Sequence, residues 1–114
     1  MINRELQTKL VYLMTKYPVV TLTGPRQSGK STLLRVSFPD YQYVSLEDAD
    51  VRLLANTDPK GFLQTYSDQT IIDEAQLAPG LFSYIQTHTD RVNKVGMYLL
   101  AGSQNFLLME SIIQ

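Results

Sequence analysis

The chain has 114 residues, 44% of them hydrophobic and 18% charged, enough for one domain with its own core and too apolar for intrinsic disorder. Ten Lys and Arg against eleven Asp and Glu leave a formal net charge of −1, so the overall field gives no support to a polyanion-coating role, and nucleic acid is not indicated as a partner. With no cysteine and a single histidine, His88, disulfides, thiolate catalysis and cysteine-ligated metal centres are excluded, and a Ser-His-Asp triad is disfavoured.

In chain order, Ile2, Leu6, Leu10, Leu13, Met14 and Tyr17 recur at helical spacing and predict an amphipathic helix over residues 3–17. Asn3 is its N-cap, Glu5 and Lys16 suit its two ends, and Pro18 stops it. Val19-Val20-Thr21-Leu22-Thr23 is a continuous β-prone run, as in a strand covered on both faces. After a glycine-bracketed loop, Leu33, Leu34 and Phe38 mark a helix over residues 29–38, broken by Pro39-Asp40. A second strand is predicted over residues 41–45. Ser45-Leu46-Glu47-Asp48 has the form of a capping box opening a helix through Asn56. Asp58-Pro59 sets an N-cap before a proline at the first helical position, for a short helix to Tyr66. A third strand is predicted over residues 70–73, and then a helix over 79–90 with Leu81, Phe82 and Ile85 inward and His88 on its partly exposed face. A fourth strand over 97–101 and an apolar helical segment over 106–113 complete the pattern. Strands alternating with helices predict βαβ units and an α/β fold on a mainly parallel sheet. No apolar run approaches the ~18 residues of a membrane span, and the N-terminus lacks the features of a signal peptide. The expectation is a cytoplasmic domain with no membrane partner.

Gly24-Pro25-Arg26-Gln27-Ser28-Gly29-Lys30-Ser31 fits G-x-x-x-x-G-K-[ST], between a predicted strand and a predicted helix. The glycines permit positive φ and close approach, so backbone N–H groups can face a phosphate, and the helix adds its positive end to the same anion. Lys30 can reach the β- and γ-phosphates from the surface, and Ser31 offers a hydroxyl to Mg²⁺. Residues 24–32, Thr32 included, are the predicted nucleotide-binding set. The competing reading is a plain glycine turn, but an unpaired lysine at a helix start opposes the macrodipole. Arg26 either approaches the γ-phosphate or points into solvent.

Thr70-Ile71-Ile72-Asp73-Glu74 ends the third strand in two carboxylates, at the sheet edge that carries ligands in open parallel sheets. Asp73 is the expected partner of Ser31 around Mg²⁺. Glu74, pointing elsewhere by strand alternation, is the candidate base for an attacking water. Glu47 and Asp48 are alternative bases that helix capping also explains. The fourth strand runs into Gly102-Ser103-Gln104-Asn105, where Ser103 first and Gln104 second are candidates to contact the water or the γ-phosphate, unless the segment is only a polar turn. The seven tyrosines form no regular stacking platform and prompt no chemistry.

Gly24-Pro25-Arg26-Gln27-Ser28-Gly29-Lys30-Ser31, Val44-Ser45-Leu46-Glu47-Asp48, Asp58-Pro59, Ile72-Asp73-Glu74-Ala75-Gln76 and Gly102-Ser103-Gln104, in that order, resemble a family of bacterial and archaeal AAA-type ATPases. In that family an N-terminal P-loop domain precedes a C-terminal domain of unknown function. The resemblance implies ATP and Mg²⁺ as ligands and an ASCE-type P-loop NTPase sandwich of three layers with strand order 5-1-4-3-2. It assigns Lys30 and Ser31 to Walker A, Asp73 and Glu74 to Walker B, and Ser103-Gln104 to the sensor region. It also implies that the chain is the N-terminal part of such a domain, stopping before the fifth strand, with a C-terminal domain as partner. The phosphate-loop strand would then be an open edge capable of self-association. The expected function is Mg²⁺-dependent ATP hydrolysis, weak in these residues alone. The alternatives are an ATP-binding switch without turnover and a nucleic-acid-associated ATPase.

Overall fold

Strand alternation divides the apolar side chains between two faces of one sheet. The computed structural model describes residues 4–24 and 29–103. In order these form α1 (Arg4–Met14), β1 (Val19–Thr23), α2 (Lys30–Ser37), β2 (Gln42–Ser45), α3 (Ala49–Thr57), α4 (Pro59–Thr65), β3 (Thr70–Asp73), a single 3-10 turn (Ala75–Leu77), α5 (Leu81–Val92) and β4 (Tyr98–Gly102). Among the described residues the four strands are parallel in the order β1-β4-β3-β2, which matches the 1-4-3-2 part of the expected order. Pro25 to Ser28, Gln104 and the helical segment expected over 106–113 lie outside the described residues.

Val19, Val44, Ile72, Tyr98 and Leu100 face a core completed by Ala55 of α3, Phe62 and Leu63 of α4, and Leu81, Phe82 and Ile85 of α5. Val20, Ile71, Leu99 and Ala101 face the other way, onto Leu10 and Met14 of α1 and Leu33 and Leu34 of α2. The result is the expected three-layer sandwich, with β3 and β4 buried along their whole lengths, as parallel strands covered on both faces must be.

Several boundaries move for local reasons. α1 ends at Met14, because the N–H groups of Thr15, Lys16 and Tyr17 bond to Tyr12 and Leu13 in a tightened turn before Pro18. Ser45 does not open a capping box. It is the last residue of β2, its Oγ accepts from Glu47 N–H at 3.2 Å, and Asp48 caps α3 by accepting from Asp50 and Val51 N–H. Asp58 caps α4 as predicted, accepting from Gly61 N–H at 3.1 Å. Tyr41 precedes β2 and donates its hydroxyl to Gly96 O at 2.6 Å. Among the described residues no helix is long and apolar enough to cross a membrane.

All four strands point their C-terminal ends to the same edge. The chain leaves β1 through α2 on one face and reaches the far strand β2, while the later crossovers through α3, α4 and α5 run on the opposite face. This change of face opens a crevice beyond the ends of β1 and β3, where doubly wound sheets bind ligands.

Candidate functional site

The crevice holds a cavity of about 460 Å³ lined by Gly29, Lys30, Ser31, Thr32, Tyr43, Glu47, Asp73 and Glu74. Gly29 caps α2 with φ 83°, a left-handed conformation that suits glycine and lets the chain turn sharply into the helix. At the other end of the loop, Gly24 N–H donates to Gly102 O at 3.1 Å, tying the exit of β1 to that of β4.

Lys30, the first residue of α2, is not at the surface as its position suggested: it is 8% exposed. Its Nζ lies 4.0 Å from Asp73 Oδ1 and 3.8 Å from Glu74 Oε2. Asp73 and Glu74 are themselves buried, and burial of charge requires such pairing. Next in α2, Ser31 Oγ donates to Asp73 Oδ2 at 2.6 Å. Tyr43 Oη donates to the same oxygen at 2.5 Å, and Glu74 N–H donates to Asp73 Oδ1 at 2.9 Å. Burial raises the Tyr43 pKa, and its bond to Asp73 raises it further. The Arg35 guanidinium stacks 4.0 Å above the Tyr43 ring.

Simple alternation would send Glu74 away from Asp73, and here the structure corrects the expectation. Glu74 takes a left-handed conformation with φ 52°, which turns the chain into the 3-10 turn and returns its carboxylate to Lys30. Glu74 Oε1 accepts from Gln76 Nε2 at 2.7 Å and from Ser103 Oγ at 3.1 Å, and Gln76 Nε2 lies 3.4 Å from Ser103 Oγ. The end of β4 is thereby joined to the turn after β3.

Lys30, Ser31, Asp73, Glu74 and Ser103 are therefore brought together, Gly29 and Thr32 line the cavity, and Gly24 is tied to the end of β4. Glu47 lines the cavity but Asp48 caps a helix. Tyr43 and Gln76 were missed. Strand parity was the signal available for Tyr43, which pairs with Ile71, two residues before Asp73 on the same face. Gln76 carried no signal beyond its place in the Asp73-Glu74-Ala75-Gln76 run.

Chemically, the site presents one ammonium and the first turn of a helix to an anion. It also buries one positive against two negative charges, with hydroxyls beside them. That negative excess of hard oxygen donors fits a divalent cation such as Mg²⁺ held jointly with ligand oxygens. Among the described residues no three Asp, Glu, His or Cys side chains cluster to hold a metal alone.

A family model described as "AAA domain" matches residues 16–114. The uncharacterized proteins Mb2031c of Mycobacterium bovis and Rv2008c of Mycobacterium tuberculosis are each 37% identical to the chain over 104 residues. The match covers 89% of this chain and 23% of either relative, so the chain spans about a quarter of their length. Among solved structures, the crystal structure of the DnaC helicase loader superposes with a TM-score of 0.59 at 16% identity, covering 97% of this chain and 82% of that one; this likeness concerns the fold. With 99 of its residues inside the matched segment and the four-stranded parallel sheet in place, the chain belongs to the AAA domain family and has the P-loop NTPase fold.

Proposed function

We propose that this domain binds ATP in the cavity at the start of α2 and hydrolyses it. The observation that carries the reading is the burial of Lys30 between Asp73 and Glu74, with Ser31 bonded to Asp73. A lysine held there keeps its charge aimed at the mouth of a helix N-terminus, where a triphosphate would be met by backbone N–H groups and the ammonium together. The nucleotide-binding set is Gly24 to Thr32. Ser31 and Asp73 would hold Mg²⁺, which when bound offsets the charge of the β- and γ-phosphates.

Glu74 is the proposed base that takes a proton from the attacking water. Its carboxylate is oriented by Gln76 and Ser103, two donors on one oxygen, so Ser103 acts at the γ-phosphate end of the site both by position and through Glu74. The process driven by hydrolysis is proposed to lie outside these residues, in keeping with the greater length of the mycobacterial relatives. Titration with ATP, followed by phosphate release from the wild type and from Glu74→Gln, tests the reading. Binding in both with release only from the wild type is expected; no ATP binding by the wild type would overturn it.

A further inference from the structure

Asp73 is surrounded by donors in an unequal way. Its Oδ1 accepts the backbone N–H of Glu74 at 2.9 Å and faces Lys30 Nζ at 4.0 Å. Its Oδ2 accepts two hydroxyls, Ser31 at 2.6 Å and Tyr43 at 2.5 Å. Two donors fill the ordinary capacity of one carboxylate oxygen. The Glu74 N–H bond and the Ser31 bond already fix the direction of the carboxylate, so the Tyr43 hydroxyl is not needed to aim it. Its effect is electrostatic: a short O–H···O⁻ bond draws charge from the oxygen that it caps. The phenol is pinned in this role by Arg35 over its ring and by packing against the α1–α2 side of the core.

We propose that Tyr43 sets the cation affinity of the site by competing for Asp73 Oδ2. The inference rests on the reading of Ser31 and Asp73 as the cation-holding pair. A hydrated cation beside Ser31 needs a lone pair on Asp73 to receive a proton from its water shell. Ser31 can offer its oxygen to the cation and still donate its own proton to Oδ2, so the lone pair to be yielded is the one that Tyr43 holds. Tyr43 thus weakens binding of a cation arriving alone and favours one that brings phosphate oxygens with it. It is a positioning and tuning residue that acts through Asp73.

Tyr43→Phe removes the hydroxyl and keeps the ring under Arg35. Mn²⁺ binding, followed by electron paramagnetic resonance, should tighten roughly threefold to tenfold without ATP and less with it, while ATP affinity in EDTA stays within about twofold of wild type. Arg35→Met, which unpins the ring but keeps the hydroxyl, should give a smaller tightening. A purely structural role predicts the opposite sign, and unchanged or weaker Mn²⁺ binding by Tyr43→Phe would overturn the inference. Failure of the wild type to bind Mn²⁺ with ATP would instead remove the cation-site reading, and this inference with it.

Discussion

Ser31 Oγ donates to Asp73 Oδ2 across 2.6 Å, joining the second residue of α2 to the last residue of β3. The bond closes the crevice floor between two elements that lie 42 positions apart in sequence. Lys30, one residue earlier and on a neighbouring side of the helix, reaches the same strand end through its long side chain. Hydroxyl, carboxylate and ammonium are consequently placed by one packing arrangement, that of α2 on the face of the sheet that carries Ile71, Leu99 and Ala101.

Replacing Lys30 with alanine should have two effects. ATP affinity should fall by ~2–3 kcal/mol, the scale of lost hydrogen bonds to a charged group. Because Lys30 is buried beside two buried carboxylates, the ligand-free fold should also lose ~1–3 kcal/mol, below the usual range for a broken buried pair since the cavity admits water. Calorimetric titration and urea unfolding measure the two separately. A variant as stable as wild type would mean that solvent, and not the lysine, balances Asp73 and Glu74.

Around Glu74 the expected effects divide by role. Glu74→Gln should bind ATP normally and lower turnover by ~10²–10⁴-fold, the range of a lost general base. Gln76→Ala should lower turnover less, by about tenfold, with unchanged ATP affinity, because it loosens the carboxylate without removing it. The amide has a further reason to matter: its Oε1 is buried with no hydrogen-bond partner among the described residues, a placement that costs free energy when it serves only packing. Single-turnover phosphate release against nucleotide affinity separates these effects, and a raised Kd with unchanged turnover in Gln76→Ala would make it a binding residue.

Much of this was legible because it is local. The glycine-lysine-serine run is a pattern complete within eight residues, and apolar runs ending in polar residues mark strand ends whatever they pack against. The layer assignment of Val19 against Val20, or Leu99 against Leu100, follows from period-two alternation alone. The misreadings depended on tertiary pairing. Lys30 reads as solvated until two carboxylates at the end of β3 close over it. Tyr43 reads as one aromatic among several until β2 pairs with β3 in a register that sets Tyr43 against Ile71 and Ser45 against Asp73. Glu74 follows alternation until its φ of 52° ends the strand geometry, a conformation that residue type does not announce.

The turn before β4 offers a test of the scaffold apart from the site. Gly96 has φ +69°, and a Cβ there would lie 2.8 Å from Met14 O and 3.0 Å from the Tyr41 hydroxyl that donates to Gly96 O. The Met14 carbonyl belongs to the end of α1 and has little room to withdraw. Gly96→Ala should therefore destabilise the protein by ~2–4 kcal/mol, combining the left-handed penalty with the overlap. Urea unfolding midpoints measure this; a loss under about 0.5 kcal/mol would mean that the turn relaxes freely.

Stability should also depend on alkaline pH, with a sign set by three tyrosines. Burial raises the pKa of Tyr41, Tyr43 and Tyr98, with Asp68 adding to the first and third and the Asp73 bond adding to the second. In the unfolded chain these phenols titrate near 10, so below that pH both states hold their protons and stability does not change on their account. Above it the unfolded state loses protons that the folded state retains, and the contribution of the phenols to stability is lost as pH rises through the folded values. Tyr98 should dominate: its hydroxyl donates to Tyr66 O at 2.5 Å beneath α4 and α5, whereas the other two are more accessible. Urea unfolding of wild type and Tyr98→Phe between pH 8 and pH 11 checks this. The wild type should lose stability above about pH 10, and the variant, less stable at neutral pH for want of the bond to Tyr66, should lose less of what it has. Parallel curves for the two proteins would assign the alkaline loss to other groups.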